Sequence, residues 1–232
     1  MNCNGMIIAL VLIFSVLNGA EDGGIVVRVN ENRNDAGVLL STESFYMSES
    51  NGKIIHGPQV EYYENGGKRI EVHCVNGKKQ GLHAEWYPDG KKSLTGAWEE
   101  NSKSGAWVAW QPTGLVQWEA VYSAGKIVGV KKYYLSARIV MEEVHGDDGE
   151  ITKVTKYHNN GKMALSGLYS SGKKHGAWTE WDNKGEVIAN GEWRDGKPWS
   201  GKLAIPVAGD AGSAGGSSTY LIYKDGSEVG DK

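Results

Sequence analysis

The chain has 232 residues, 33 of them glycine, with nine Trp and eleven Tyr against two Phe and a formal net charge of −3. That length allows one or two ordinary domains, and interspersed acids and bases leave no basic field to attract nucleic acid. Glycine stands at about twice its usual share of roughly 7%, and aromatics with a polar handle suit a ring packed on one side and wet on the other. The two cysteines, Cys3 and Cys74, can pair only if the N-terminus is retained. Cys74 reads as a small buried apolar residue rather than a nucleophile.

The first feature in the chain is an apolar run over residues 6–17, followed by Asn18-Gly19-Ala20 and the acids Glu21 and Asp22. Twelve residues fall short of a bilayer span and match the core of a signal peptide. Residues 1–20 are therefore expected to be a signal peptide cut after Ala20, and the chain to be exported to the periplasm, the cell envelope or the medium. A retained membrane anchor is the alternative. Residues 21–51 read as N-terminal capping strands, with strands over 25–29 and 38–47, Gly37 as a turn glycine and Phe45 eight places on.

From Gly52 the sequence repeats. An aromatic returns four residues before a turn as Tyr62, Trp86, Trp110, Tyr134, Tyr157 and Trp181, in steps of 24, 24, 24, 23 and 24. In one unit, Gly81 to Tyr87 alternates in character, Pro88-Asp89-Gly90-Lys91 is turn chemistry, Ser93 to Glu99 alternates again, and a polar turn leads to Gly105, where the pattern restarts. Two strands and two turns fill the period and leave no room for a helix. The expected fold is all-β: an elongated antiparallel sheet of stacked β-hairpins over residues 52–201, about 24 residues per unit.

Eight places after each turn position (Gly66, Gly90, Gly114, the glycine-less Arg138, Gly161, Gly185) stand Cys74, Trp98, Tyr122, Gly146, Tyr169 and Trp193. Residues at one repeat position form a column along the array, so there are two aromatic rails. They share a face if the turns preserve parity, and a one-residue bulge at a turn moves one rail to the other face. Between residues 136 and 156 the pattern degrades, with Arg138 for the turn glycine and Gly146 for the rail aromatic. Residues 202–232 are expected to form a C-terminal capping hairpin around a Gly/Ala/Ser loop at 208–218.

Gly77-Lys78-Lys79-Gln80-Gly81, Gly125-Lys126-Ile127-Val128-Gly129 and Gly172-Lys173-Lys174-His175-Gly176-Ala177-Trp178-Thr179-Glu180-Trp181, with Asn160-Gly161-Lys162 and Tyr169-Ser170-Ser171-Gly172 between them, resemble the bacterial MORN-repeat variant of proteins labelled YwqK-family antitoxins. The likeness runs from about Gly52 to Lys232. It implies an array of antiparallel hairpins that acts by binding, and for MORN repeats broadly, scaffolding or contact with membrane lipid.

No Ser-His-acid arrangement, Cys-x-x-Cys or phosphate loop is present, so no catalytic residue, metal ligand or cofactor is expected. His73 and His83 flank one turn with Glu71 and Glu85 near, which ordinary cross-strand pairing explains, and Asp147-Asp148-Gly149-Glu150 lacks the spacing of a calcium loop. Trp107 and Trp178, two residues after a unit glycine and at odd parity to the first rail, are the leading candidates for binding, with Trp118 and Trp199 as further ones. The expected function is that of an exported, non-enzymatic scaffold presenting a sheet surface to a protein or cell-envelope partner. Membrane contact is expected only through an uncleaved N-terminus or weakly at the periphery. A glycan- or choline-binding aromatic module, or an antitoxin-like protein, is the alternative.

Overall fold

The computed structural model describes residues 27–206 and 218–230; the expected signal peptide, its expected cleavage point and all but the last residue of the expected Gly/Ala/Ser loop lie outside the described residues. Those residues fall into two compact units that meet in sequence at Gly125 and Lys126. Every element among them is a strand. Unit 1 holds β1 (Arg28–Arg33), β2 (Leu39–Ser48), β3 (Gly52–Tyr62), β4 (Lys68–Val75), β5 (Lys78–Trp86), β6 (Lys92–Glu99), β7 (Ser102–Trp110) and β8 (Val116–Ser123). Unit 2 holds β9 (Lys126–Leu135), β10 (Arg138–His145), β11 (Ile151–Tyr157), β12 (Met163–Ser170), β13 (Lys173–Trp181), β14 (Val187–Arg194), β15 (Lys197–Pro206), β16 (Ser218–Lys224) and β17 (Ser227–Gly230). Within each unit every strand pairs antiparallel with the next, so the all-β succession of hairpins expected from the repeat is what the chain forms.

Two kinds of turn alternate, and they explain the period. In residues 87–91 the Tyr87 N–H donates to the Lys91 carbonyl at 2.8 Å and the Gly90 N–H returns to the Tyr87 carbonyl at 2.9 Å. Gly90 takes φ 84°, and the register slips between Glu85 and Trp86, the signature of a type I turn with a glycine bulge. The same paired bonds close residues 34–38, 63–67 and 111–115 in unit 1 and residues 146–150, 158–162 and 182–186 in unit 2. Three residues, 49–51, join β2 to β3; the remaining short turns have two residues, both with positive φ, as at Asn76 (50°) and Gly77 (81°). A two-residue loop of this hand follows the twist of the strands it joins.

The slip at each five-residue turn answers the question of parity: the two rails lie on opposite faces. On β5, Trp86 belongs with Leu82 and Ala84. On β6, Trp98 belongs with Gly96, which pairs with His83, and its ring lies 5.4 Å from that of Trp107. A second irregularity sits within the strand after the short turn. Gly81 adopts φ 81° where the register jumps from Val72↔His83 to Cys74↔Lys79, so both glycines of Gly77-Lys78-Lys79-Gln80-Gly81 occupy backbone that other residues resist.

Successive hairpins are stitched at both ends. At the five-residue turns the Tyr63 hydroxyl donates to the Trp86 carbonyl at 2.6 Å, the Tyr87 hydroxyl to the Trp110 carbonyl at 2.7 Å, and His158 Nε2 to the Trp181 carbonyl at 2.8 Å. At the short turns the Gly77 N–H reaches the Ile55 carbonyl at 2.7 Å and the Asn101 N–H the Lys79 carbonyl at 3.1 Å. Each bond satisfies a strand-end group that would otherwise face only water.

Unit 2 departs from this order at its start. Ser136 and Ala137 form a two-residue turn (φ 50° and 65°), so Arg138 opens β10 and is not the turn position that the count from Tyr134 suggests. Gly146 is the first residue of a five-residue turn, its N–H bonded to the Glu150 carbonyl at 2.9 Å, rather than a vacancy in a rail. The two turn types have exchanged places, which shifts the period by one residue while hairpin pairing is kept.

Candidate binding surfaces

The Trp107 face of unit 1 is a layer of rings on a single sheet. Trp107 is 1% exposed because a Cβ on Gly96 would stand 2.1 Å from its indole: the ring lies on bare backbone. Its Nε1 donates to the Ala97 carbonyl at 3.2 Å. Trp98, Tyr122 and His83 surround it at 5.4, 6.0 and 5.3 Å between ring centres. Lysines from the strand after each short turn cap the layer, Lys79 4.6 Å from the Trp98 ring and Lys103 4.2 Å from Trp107. Such cation–π contacts contribute about 0.5–1 kcal/mol each where exposed.

Unit 2 repeats the device. Trp178 lies on Gly167, whose Cβ would stand 2.1 Å from the indole, donates to the Leu168 carbonyl at 3.0 Å, and meets Tyr169 and Trp193. The Lys174 ammonium is 4.3 Å from both the Trp178 and Trp193 rings. Burial holds its pKa below the ordinary lysine value, against the pull of Glu180 and with the push of Lys156. With Val154 and Leu203 these rings form a core against which Met141, Leu165, Tyr169 and Tyr223 pack.

The opposite face of unit 1 is open. Leu82, in the middle of β5, is 81% exposed, and it lies in a groove of about 550 Å³ lined by Glu71, His73, Val75, Ala84, Trp86 and Lys92, among others. Val75 and Val121 are also exposed. His73 faces this groove while His83 is buried on the ring side, its Nε2 donating to Glu85 at 2.9 Å, so the two histidines flank one turn but lie on opposite faces. Carboxylate–phenol bonds mark unit 2, the longest of them from Tyr220 to Glu180 at 3.4 Å. Glu142 accepts from Tyr157 at 2.6 Å, a bond that with burial pushes the phenol up to about 12, and Glu143 accepts from Tyr133 at 2.9 Å, where burial first and the bond second do the same.

Of the four tryptophans singled out by sequence, Trp107 and Trp178 are inside the ring layers and offer no ring face to solvent. Trp118 pairs with Ala109 on β7 and is half-buried. Trp199 is the extra residue of a bulge in β15, with the Arg194 guanidinium 4.0 Å over its ring. The first-rail aromatics Tyr62, Trp86, Trp110, Tyr134, Tyr157 and Trp181 are all half-buried, as are Trp98, Tyr122 and Tyr169 of the second, whereas Trp193 is buried. Cys74 is a free, buried thiol whose pKa burial raises. Sequence reasoning passed over Leu82; its signal was an apolar residue on the Trp86 side of a sheet that has no helix among the described residues to cover it. Among the described residues no three His, Cys, Asp or Glu side chains gather as a metal site would need. No protein-family model matches the chain, and no curated protein is found as a relative.

Proposed function

We propose that this chain is a non-enzymatic repeat scaffold, exported through its N-terminal apolar segment, that holds a protein or cell-envelope partner on the Leu82 face of unit 1. One observation carries the reading: a leucine side chain stands almost fully exposed in the middle of an ordered strand, in a mainly apolar groove floored by Ala84 and Trp86. Covering such a side chain contributes about 1.5–3 kcal/mol, and exposed apolar patches of this kind mark contact surfaces. A partner that also engages Val75 and Val121 would sum several weak contacts held at fixed spacing by the sheet. The MORN-like resemblance points the same way, towards binding. Of the rings that stacking on glycans or choline would need, the two leading candidates, Trp107 and Trp178, have no open face.

The test is a photo-crosslinking residue at position 82, compared with one at Thr113 on a turn, in cells that make the full chain. A discrete adduct at 82, absent at 113 and lost when Val121→Asp is added at unchanged melting temperature, is expected. Equal labelling at both positions, or an adduct indifferent to Val121→Asp, overturns the reading. A toxin recovered as the adduct would identify the partner as that of an antitoxin-like protein.

A further inference from the structure

The ring layer of unit 2 lacks one ring. Across the sheet, Glu143 pairs with Val154, Val154 with Gly167, Gly167 with Trp178 and Trp178 with Gly191. Trp178 occupies on β13 the place Val154 occupies on β11, 24 residues earlier, and it leans onto the glycine before it. Where the pattern would put an indole over a glycine, the chain has a valine beside a glutamate. A cavity of about 290 Å³ opens there, lined by Met141, Ile151, Leu165 and Tyr169 as well as Val154 and Trp178, with Lys156, Lys174 and Glu143 around it.

We propose that this cavity binds a small molecule made of a planar ring carrying an acid group. The ring follows from the layer: Tyr169 and Trp178 wall a space that at Gly96–Trp107 is filled by an indole. An apolar cavity of about 150 Å³ takes up a benzene, so this one has room for a fused ring and a substituent. The acid follows from the cations. Lys174 is half-buried against Trp178 and Trp193 and lines the cavity with Lys156, whereas the Glu180 carboxylate that draws on Lys174 accepts from Tyr220 at 3.4 Å and is not part of the lining. Glu143 is turned to other work, accepting from Tyr133 at 2.9 Å and standing 3.5 Å from His145 Nε2. A carboxylate between the two ammonium groups relieves their repulsion, which a neutral or cationic ring does not.

Titration calorimetry on the purified chain with indole-3-acetate, indole and tryptamine reads this out. Indole-3-acetate is expected to saturate at about 1 mM or below, indole to bind more weakly and tryptamine weakest. Lys156→Gln, at an exposed position, should narrow the preference of the acid over indole by about fivefold. The double variant Glu143→Gly/Val154→Trp restores the glycine–indole pair found at Gly96–Trp107 and should abolish binding in a chain that melts no lower than the parent. Methyl NMR on the unaltered protein gives a reading free of folding effects, with shifts expected at Met141, Val154 and Leu165. Absence of saturation, tightest binding of tryptamine, undiminished binding in a folded double variant, or methyl shifts confined to other residues each overturns the proposal.

Discussion

Two rows of the same repeat make opposite choices. At Gly96–Trp107 in unit 1 and Gly167–Trp178 in unit 2, a glycine supplies bare backbone and the next strand supplies an indole that lies on it. At Glu143–Val154 the glycine has become a carboxylate and the indole a valine, and a cavity stands where the ring would be. The contrast teaches what the mid-strand glycines are for. They are floors: where the described residues supply no second layer, a ring flat on the sheet's own backbone at a glycine removes apolar area from water without needing a helix above it.

The sharpest way to break that comparison is to remove the ring. Trp107→Ala should cost about 3–5 kcal/mol in urea unfolding, whereas Val154→Ala should cost about 1.5 kcal/mol, the value of two buried methylene equivalents. Equal losses would show that the layer does not depend on its indoles. Raising the floor comes next. Gly96→Ala drives a methyl into the indole and should cost about 1–3 kcal/mol by overpacking, while Glu143→Ala, with no ring above it, should cost less in the same assay.

The hairpins, their period and the turn glycines were legible because turn chemistry and alternation are local, and Gly90 or Trp86 announces its role within a few residues. The face on which each rail lies was not. It depends on one extra residue at each five-residue turn, and residues 87–91 read equally well with or without the slip between Glu85 and Trp86. For the same reason the exchange of turns around Ser136 and Gly146 passed for decay, since Ser-Ala carries no sign of the left-handed backbone it adopts. Trp107 looked free because burial by a glycine on another strand leaves no trace near it in sequence, and Leu82 looked ordinary for the converse reason.

The stitches between hairpins sharpen the comparison on a smaller scale. Tyr87→Phe removes the hydroxyl that reaches the Trp110 carbonyl and should cost about 1 kcal/mol; Gln111, at the equivalent turn position, has no such phenol, so Gln111→Ala should cost less. In unit 2 the phenols of Tyr133 and Tyr157 are held to about 12 by burial and their carboxylates. A raised folded pKa means that the contribution is intact below the unfolded value near 10 and disappears as pH climbs through 12. Absorbance titration at alkaline pH should show these two phenols ionising near pH 12, and Glu142→Gln should bring Tyr157 down while leaving Tyr133 in place.

The smallest effect tests the exchanged turn itself. Asn76–Gly77, Ser171–Gly172, Asp195–Gly196 and Asp225–Gly226 all put glycine in the second left-handed position, but Ser136–Ala137 holds alanine there at φ 65°. A side chain in that region costs about 1–2 kcal/mol, and glycine gives part of that back through the freedom it adds to the unfolded chain. Ala137→Gly should therefore stabilise the protein by about 0.5–1 kcal/mol. The same substitution at Ala109, an interior strand position buried on the ring face, should destabilise it by a similar amount. If Ala137→Gly destabilises as well, the two-residue turn at Ser136 is not the one the chain adopts, and the exchange of turn types that shifts the period by one residue loses its basis.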